Sequence, residues 1–575
     1  MRCHLEGQQC RAAHEAGFRQ DLAAYERKLA AGAAYVHPTT TMAAPLTHGV
    51  APPLEECTAI TLAEAVAGTN QIWTGRVLFL RTTMPCLRVV ATSFLVEDDA
   101  GDVINAHLYN YTPREEDPRR RFPSGTRLAL LEPYVRHAKD DARTGMLMLR
   151  CDNPQAVVVF ESEGEWVQAR ERARQRLRGL AVAPPAPAAQ PALDMGRADE
   201  LCAAGNEAFK SKAYDKALRL YSASLQHAPD HVRALANRCA VHMRCERWRA
   251  ALADAEAALR CQPGHLKCRM RAAACLLALS RVGEAQSAAA QLAAGLAAAS
   301  GEERDAALQR EADELAADIS RATAEQRGEY DLKAMRREAD AAPGGRLSWR
   351  HAEFESAAVR VEDDAKKGRR LVALEPLAAG TLLMASKALA FVVCSGAEAV
   401  AIAVSASNSN FDTGSQSFIL PAVVQTLLTR PETGEALYSL SGGAAFPPMS
   451  ASSGQGGADP TRVDVPRIDA ILSTNWFQAG GSEMKMHLEV LAWASKLGRN
   501  PTDAEHQAFH DARLPKGSGL WVRPSLLNHS CAPNCRTHQE GDFMFVMAAR
   551  DIEAGEEVRS TRAAPPHAAS TDACL

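Results

Sequence analysis

A regular repeat between about residues 198 and 299 constrains the fold of this 575-residue chain more than any other feature of its sequence. Residues of similar size recur every 34 positions, and a proline closes each of the first two repeats. The equivalent residues are Gly205, Cys239 and Ala273, then Tyr214, Trp248 and Val282, then Ala217, Ala251 and Ala285, then Tyr221, Ala255 and Ala289, and finally Pro229 and Pro263. Small residues let paired helices approach closely, and large ones fill the space between neighbouring pairs. The period therefore predicts three helical hairpins stacked into a solenoid.

The period and the residue pattern resemble the tetratricopeptide (TPR) repeat. The resemblance implies three TPR repeats at residues 196–300, of which the third is the most degenerate because it lacks the closing proline. Residues 301–342 are polar and are predicted to form a helix that caps the solenoid. The segment Ala342-Pro343-Gly344-Gly345 is expected to end that helix.

The TPR resemblance also implies a candidate peptide-binding site. Some TPR domains hold the C-terminal carboxylates of heat-shock chaperones between lysine, arginine and asparagine side chains, and the matching positions here are Asn206, Asn237, Lys267 and Arg271. The remaining position of that clamp, usually a lysine, is Cys202, so we expect weaker binding than a complete clamp would give. The alternative is that these residues are ordinary solvent-facing side chains of a helical solenoid.

The region before the repeat is predicted to contain further parts. Residues 1–55 combine a charged helix with a loose extension, and residues 56–163 contain five short β-rich runs separated by turn signals. Five strands at this spacing favour a small OB-like β-barrel, in which Trp73, Phe79 and Tyr134 are expected to be core or rim aromatics rather than stacking platforms. Residues 164–195 are a charged helix followed by a proline-rich linker.

Three motifs in the second half of the chain indicate its function. They are Lys367-Gly368-Arg369-Arg370, Asn528-His529-Ser530-Cys531 and Gly555-Glu556-Glu557-Val558. Each alone could be a polar turn, but the ordered combination resembles a SET domain, which would cover residues 347–562 with a low-complexity insert at 441–466. The sequence from Gly519 to Ser525 resembles the corresponding segment of SET proteins of the SET-and-MYND type, although no MYND finger is recognisable. The expected fold class is multidomain α+β: an OB-like barrel, a TPR solenoid and a mostly-β SET domain with a pseudoknot.

The SET resemblance implies transfer of a methyl group from S-adenosylmethionine to a lysine of a histone or another protein. It implies that the strand and turn at Gly368, Arg369 and Arg370 lie against the cofactor, where a glycine lets backbone groups approach the ligand. By the same resemblance Asn528 contacts the amino-acid end of the cofactor, and His529 contributes backbone contacts near the adenine. The family commonly has a second glycine at the position of Arg370, so this arginine is expected to crowd the site.

The end of the chain departs from the SET pattern. The position of the family's catalytic tyrosine is Arg562 and no tyrosine follows, so no catalytic residue is assigned and turnover is expected to be severely reduced. Cys531 corresponds to a zinc ligand of many relatives, but Cys535 and Cys574 cannot complete a four-coordinate site with it, so zinc is not expected. Residues 563–575 form an atypical tail, of the kind that truncation or an altered reading frame produces.

Composition limits the remaining function classes. The net charge of −4 gives no general attraction to nucleic acid or an anionic membrane, and no apolar run reaches membrane-spanning length. The 15 cysteines are scattered without a Cys-x-x-Cys pair, which favours a reducing compartment, the cytoplasm or the nucleus. A nucleic-acid adaptor is disfavoured because the OB-like region lacks an aromatic-basic stripe. Two hypotheses remain: a SET-type lysine methyltransferase with a TPR docking module, or a TPR co-chaperone or scaffold with a degenerate, non-catalytic SET domain.

Overall fold

A computed structural model describes most of the chain, in two compact units. The described residues are 2–30, 41–42, 49–88, 91–111, 118–137, 147–160, 162–179, 193–298, 306–364, 368–393, 402–404, 411–413, 418–443, 445–449, 459–475, 477–479 and 517–560. The first unit is built from the described parts of residues 1–183 and 389–525. The second unit is built from those of residues 184–388 and 526–562. Each unit is described by itself below.

The amino-terminal part of the first unit is a long helix followed by a large sheet. Its helices are α1 (Arg2–Ala30), α2 (Leu62–Ala67), α3 (Pro118–Arg121) and α4 (Glu163–Leu177). Its strands are β1 (Thr41–Met42), β2 (Thr58–Ile60), β3 (Arg76–Thr82), β4 (Leu87–Arg88), β5 (Thr92–Glu97), β6 (Val103–Leu108), β7 (Arg127–Leu131), β8 (Tyr134–His137), β9 (Leu147–Cys151) and β10 (Val157–Phe160). The nine strands β2 to β10 form one sheet with the order β10-β7-β3-β5-β6-β9-β8, in which β2 also pairs with β3 and β4 with β5.

One face of this sheet packs on the core of the unit. Along β6 the buried residues alternate with less buried ones, and Ile104 and Leu108 share a core with Phe94. Phe79 is buried and Trp73 packs against the same core, as expected for structural aromatics. The mixed α+β class is therefore confirmed, whereas the closed OB-like barrel is not, because the described strands follow an open path from β10 to β8.

The second unit begins with helices that pack in consecutive pairs. They are α5 (Met195–Lys210), α6 (Tyr214–His227), α7 (Val232–Arg244), α8 (Trp248–Cys261), α9 (Leu266–Ala278), α10 (Val282–Ala298), α11 (Ala306–Glu325) and α12 (Leu332–Ala341). The first three pairs turn at Lys212, Glu246 and Ser280, whose φ angles are 59°, 55° and 59°. These residues again lie 34 positions apart, so the three hairpins share one left-handed turn at one repeat position.

The small residue of the first repeat is required by an aromatic ring. A Cβ at Gly205 would lie 2.6 Å from Cε1 of Tyr221, a side chain that is buried on α6. The second and third repeats have alanine at the position of Tyr221, and there the position of Gly205 is occupied by Cys239 or Ala273. A large side chain on one helix is thus matched by the smallest residue on the facing helix, and a smaller side chain by a larger one, so that the space between the helices stays filled.

This packing predicts an unusual response to alanine. Gly205→Ala is expected to destabilise the chain by about 1–2 kcal/mol, although alanine is ordinarily the better helix former by about 1 kcal/mol. Gly283→Ala in α10 is the matched control, because nothing lies within 4 Å of an added Cβ there, and it should be neutral or slightly stabilising. Denaturant unfolding measures both variants. Equal effects of the two substitutions would contradict the packing explanation.

The region predicted as one capping helix contains two helices in the structure. Helix α11 ends at Glu325, and Gly328 in the connection has a φ of 83°. Asp331 begins α12 by accepting two backbone N–H groups of its first turn. A glycine in the left-handed region and an aspartate cap thus divide the predicted helix.

A buried polar cluster joins α11 and α12 to the segment that follows them. His351 Nδ1 lies 2.6 Å from Glu325 Oε1, and its Nε2 lies 3.0 Å from Glu338 Oε2. The same two carboxylates accept the backbone N–H groups of Ala352 and Ser348, each at 2.7 Å. Burial alone would lower the pKa of His351, but the hydrogen bonds and charges of Glu325 and Glu338 outweigh it, so the pKa is raised. Both ring nitrogens face carboxylate oxygens, which accept, so this geometry favours the charged imidazole, which donates from both nitrogens.

The remaining elements come from the second half of the chain. The helices are α13 (Ile419–Thr429), α14 (Gly434–Tyr438) and α15 (Val465–Asn475). The strands are β11 (Phe354–Glu355), β12 (Val359–Asp364), β13 (Gly368–Ala373), β14 (Leu382–Lys387), β15 (Ala390–Val392), β16 (Ile402–Val404), β17 (Phe411–Thr413), β18 (Phe477–Ala479), β19 (Gly517–Leu520), β20 (Asn528–His529), β21 (Cys535–Glu540), β22 (Phe543–Ala548) and β23 (Glu557–Ser560). The second unit holds the sheets β11-β14-β22-β21 and β12-β13-β23-β20, and the first holds β15-β19-β18 and β1-β16-β17. Across the described ranges, no helix has both the length and the apolar character needed to cross a bilayer.

Within the first unit, hydrogen bonds join segments that are very distant in sequence. Asn153 Nδ2 donates to Val463 O at 2.8 Å, and Val463 N donates to Gln155 Oε1 at 2.9 Å. Val463 lies in the predicted low-complexity insert, of which residues 441–443, 445–449 and 459–466 are described. The amino-terminal sheet and this part of the later sequence therefore pack in one unit.

Candidate functional site

The two motifs predicted to bind a cofactor meet in the sheet β12-β13-β23-β20. Strand β13 pairs antiparallel with β23, with Leu371 opposite Val558, and β20 lies parallel to β23, with Asn528 opposite Arg559. The apolar residues of these strands explain the arrangement, because Leu371, Val558 and the neighbouring Leu527 are buried in one core. Asn528 and Arg369 are 159 residues apart in the sequence, yet their motifs lie within one small sheet.

The chain that follows β20 is fastened to β23 by Asn534. Its Nδ2 donates to Glu557 O at 2.8 Å and to Glu556 Oε1 at 2.9 Å, and its Oδ1 accepts from Arg559 N at 2.7 Å. Asn534 is only 3% exposed, so its carboxamide replaces water as the partner of these backbone groups. The loop between β20 and β21 is thereby held along the last strand.

The carboxamide of Asn528 has a fixed orientation. Its Nδ2 donates to Arg369 O at 3.2 Å and to Glu557 Oε1 at 2.7 Å. Both N–H groups are thus used, and within the described residues no donor is bonded to Asn528 Oδ1. The side chain therefore presents a hydrogen-bond acceptor.

Two neighbouring glutamates on and before β23 have different partners. Glu557 is 6% exposed, and its two carboxylate oxygens bond Asn528 and, at 3.2 Å, Nε of Arg559. Glu556 faces outward to Arg550, and the hydrogen bonds from Arg550 and Asn534 lower its pKa to about 2. Of these two glutamates, Glu557 is the one that contacts a predicted cofactor residue, Asn528. Glu557 was not predicted as a site residue, although its position inside the Gly-Glu-Glu-Val motif was the available signal.

The glycine-arginine motif lies on β13. Gly368 begins the strand opposite Asp364, and Arg369 supplies the backbone carbonyl that Asn528 contacts. The side chain of Arg370 donates from one terminal nitrogen to Glu362 at 3.3 Å, while its Nε is buried without a hydrogen bond in the described part of the chain. Lys367 and Arg562 lie outside the described residues. Asn528 thus contacts the backbone of Arg369, whereas the side chain of Arg370 bonds Glu362 on the neighbouring strand β12.

The predicted metal position is at the exposed end of β20. His529 and Cys531 are both exposed, with Nε2 and Sγ 3.5 Å apart. Cys535 is buried, its Sγ donates to Arg559 O, and burial raises the pKa of its thiol to about 12. Cys574 lies outside the described residues. No group of three or more histidine, cysteine or acidic side chains among the described residues could hold a metal ion.

The candidate clamp residues lie on the inner helices α5, α7 and α9. Asn237 Nδ2 on α7 donates to Asn206 Oδ1 on α5 at 2.8 Å, and the hydroxyl of Tyr221 donates to the same oxygen at 2.8 Å. Arg271 on α9 donates to the carbonyl of Ala236, next to Asn237, at 2.6 Å. These contacts leave the Nδ2 group of Asn206 available as a donor. At the two other clamp positions, Lys267 is exposed and Cys202, which replaces the usual lysine, is buried.

Comparison with known proteins supports the SET part of this description. Residues 368–560 match the family model described as "SET domain". A "Methyltransferase" of Gibberella zeae is 25% identical over 492 residues, covering 84% of this chain and 61% of the relative. "Histone-lysine N-methyltransferase SMYD3" of Mus musculus is 52% identical over 42 residues, covering 7% of this chain and 10% of that protein. The chain thus spans less than two thirds of the length of either relative.

A solved structure is similar to the repeat region. It is described as "TPR2B-domain:pHsp70-complex of yeast Sti1", with 23% identity and a TM-score of 0.20, and it covers 22% of this chain and 96% of that chain. The assignment of the repeats rests on the 34-residue period, the paired helices and the shared left-handed turns.

The geometry and the family model together describe a chain that matches the SET domain over residues 368–560 and carries paired helices with a 34-residue period. The SET match begins at Gly368 and ends at Ser560, so it includes all three sequence motifs except Lys367.

Proposed function

We propose that this chain is an S-adenosylmethionine-dependent protein-lysine methyltransferase whose TPR repeats dock a protein partner. The observation that carries the proposal is the fixed carboxamide of Asn528, which directs an acceptor oxygen from the sheet shared with Arg369 and Glu557. The cofactor carries an ammonium and a carboxylate at its amino-acid end. The ammonium group needs a hydrogen-bond acceptor from the protein, and the carboxylate needs a cationic donor.

The described residues fit that ligand. Asn528 would hold the ammonium group, and Arg370, whose buried Nε has no hydrogen bond in the described part of the chain, would complete its bonding with the carboxylate. Gly368 would let the backbone approach the ligand because it has no side chain. When bound, the cofactor supplies an electrophilic methyl group on a sulfonium centre.

The chain's own residues must also admit a neutral lysine. A free lysine amine has a pKa of about 10.4, so the site has to favour the uncharged form by burial or by a polar neighbour. The family uses a tyrosine at the position of Arg562, and an arginine cannot supply that hydroxyl. We therefore expect cofactor binding to be retained and turnover to be low.

Transfer of a labelled methyl group tests the proposal. The full chain is incubated with methyl-labelled S-adenosylmethionine and a mixture of histones and other proteins, and methylated lysine is identified by mass spectrometry. The expected result is slow lysine methylation that falls by about tenfold or more in Asn528→Ala, because a charge-assisted contact is lost. Methylation that is equal in the wild-type chain and in Asn528→Ala would rule out this site as its source.

A second candidate function is supported by the repeat groove: binding of an acidic C-terminal peptide, such as the tail of a heat-shock chaperone. The observation that favours it is the placement of Asn206, Asn237 and Arg271 on three successive inner helices, where Asn237 donates to Asn206 and Arg271 donates to the carbonyl of Ala236. Amide and guanidinium donors that converge on one groove suit carboxylates. A TPR scaffold and a SET enzyme are compatible, since docking would supply the methyl-transfer site with its protein substrate.

We also propose that the amino-terminal sheet is OB-like. Strands β6 and β9 pair in parallel within an otherwise largely antiparallel ladder, and β8 follows β7 after only Glu132 and Pro133. If β7 and β8 act as one bent strand, the ladder from β3 through β5, β6 and β9 returns to β3 and forms a small barrel. The net charge of the chain and the buried position of Phe79 give no support to nucleic-acid binding there.

A further inference from the structure

The 34-residue register places three charged residues at one repeat position of the inner helices. They are Asp199 on α5, Arg233 on α7 and Lys267 on α9. Two cations therefore follow one carboxylate along the groove. Lys267 was predicted as a clamp residue and its two equivalents were not, although the repeat period relates all three.

The carboxylate of this column is bonded to its neighbours. Asp199 Oδ1 accepts from a terminal nitrogen of Arg233 at 3.0 Å and lies 3.1 Å from His231 Nε2. His231 Nδ1 accepts the backbone N–H of Ala234 at 3.0 Å, so the ring proton lies on Nε2 and is donated to Asp199. Two donors thus hold the aspartate against the second repeat.

The position beside this pair is the one where the clamp has lost its lysine. Cys202 lies one helical turn after Asp199, is buried, and supplies no positive charge to the groove. Arg233 acts electrostatically on the thiol of Cys202, and burial is the main reason why the pKa of that thiol is raised. Arg233 therefore lies beside the first repeat's half of the groove, and its guanidinium group is paired with the carboxylate of Asp199.

We propose that Asp199 is a built-in competitor for the groove: it occupies Arg233 with a carboxylate that an acidic peptide must displace. The inference rests on the proposed peptide-binding function of the groove and specifies how that site is restrained. When a peptide carboxylate takes its place, Arg233 joins Lys267 and Arg271 as a third cation. Because Asp199 and Arg233 are 48% and 70% exposed, exchange of one carboxylate for another needs no unfolding.

The restraint predicts that removing a charge strengthens binding. Asp199→Ala should bind an acidic peptide about five times more tightly than the wild-type chain, since it frees Arg233 and removes a like charge from the groove. Glu200→Ala is the matched control: it removes the same charge from the next residue of α5, whose carboxylate bonds Arg197 instead, and should change affinity by less than about twofold. A gain of affinity cannot arise from a variant that merely folds poorly.

The measurement is fluorescence anisotropy of a labelled peptide ending in Glu-Glu-Val-Asp, titrated with the full chain at low salt. Lys267→Ala reports on the groove itself and should weaken binding. If the wild-type chain binds, Lys267→Ala weakens binding and Asp199→Ala equals Glu200→Ala, the competitor role is wrong while the groove function stands. If neither the wild-type chain nor Asp199→Ala binds at millimolar peptide, both the groove function and the inference are overturned.

Discussion

Removing the carboxylate of Glu557 is expected to weaken S-adenosylmethionine binding by about tenfold to a hundredfold. Glu557 Oε1 accepts from Asn528 Nδ2 at 2.7 Å, and this charged hydrogen bond fixes which atom Asn528 turns toward a ligand. A hydrogen bond to a charged group contributes about 1.5–3 kcal/mol. Glu557→Ala loses it, whereas Glu557→Gln keeps a neutral acceptor and should recover most of the affinity. Calorimetric titration of both variants with the cofactor gives the two dissociation constants.

Two controls separate orientation of Asn528 from general damage to the fold. Glu556→Ala removes the adjacent carboxylate, which bonds Arg550 and Asn534 rather than Asn528, so cofactor affinity should change by less than about twofold. 5′-Methylthioadenosine lacks the amino-acid end of the cofactor, and its affinity should be the same for Glu557→Ala and the wild-type chain. An equal loss for both ligands would show that Glu557 has only a structural role.

Replacing His351 by leucine is expected to destabilise the second unit by about 3–5 kcal/mol. The substitution leaves the buried carboxylate of Glu325 without the charge that neutralises it, and Arg321 at 3.7 Å is its remaining cation among the described residues. His538→Ala is the matched control. His538 also contacts a buried glutamate, Glu540, at 2.8 Å, but it is 37% exposed and Glu540 keeps its bond to Arg336. We expect its loss to cost less than about 1 kcal/mol in urea unfolding.

The same cluster predicts how stability depends on pH. The pKa of His351 is raised in the folded state, so its contribution is fully present below the unfolded value of about 6.5. That contribution is lost as pH rises through the folded pKa. The wild-type chain should therefore lose stability above neutral pH, and His351→Leu should show a flatter profile there. A profile that keeps its full slope in the variant would assign the pH dependence to another group.

Local pattern made the repeats and the SET motifs predictable. The 34-residue period depends on which residues share a helix face, and the structure repeats it in the turns at Lys212, Glu246 and Ser280. The cofactor motifs were predictable as neighbours because their order along the chain resembles a known family. For the same reason Asn528 and Arg369 were both expected to lie near one cofactor.

Contacts between distant segments were not predictable in the same way. The bond from Asn528 to Glu557 depends on the parallel pairing of β20 with β23, and a strand of two residues is too short for its side-chain pattern to show which distant strand it joins. The contacts of Asn153 with Val463 join segments 310 residues apart, so the domain boundaries read from composition could not include them. The break at Gly328 was missed because the charged residues on both sides of it continue a helical pattern.

Calorimetric titration of the full chain with S-adenosylmethionine tests the central claim most directly. The account predicts saturable binding of one cofactor per chain by the wild-type protein. It also predicts an affinity about tenfold or more lower in Asn528→Ala, with unchanged binding in Asn206→Ala, which alters a carboxamide in the repeat groove. Absence of binding by the wild-type chain at millimolar cofactor would contradict the account, and so would equal affinities of the wild-type chain and Asn528→Ala.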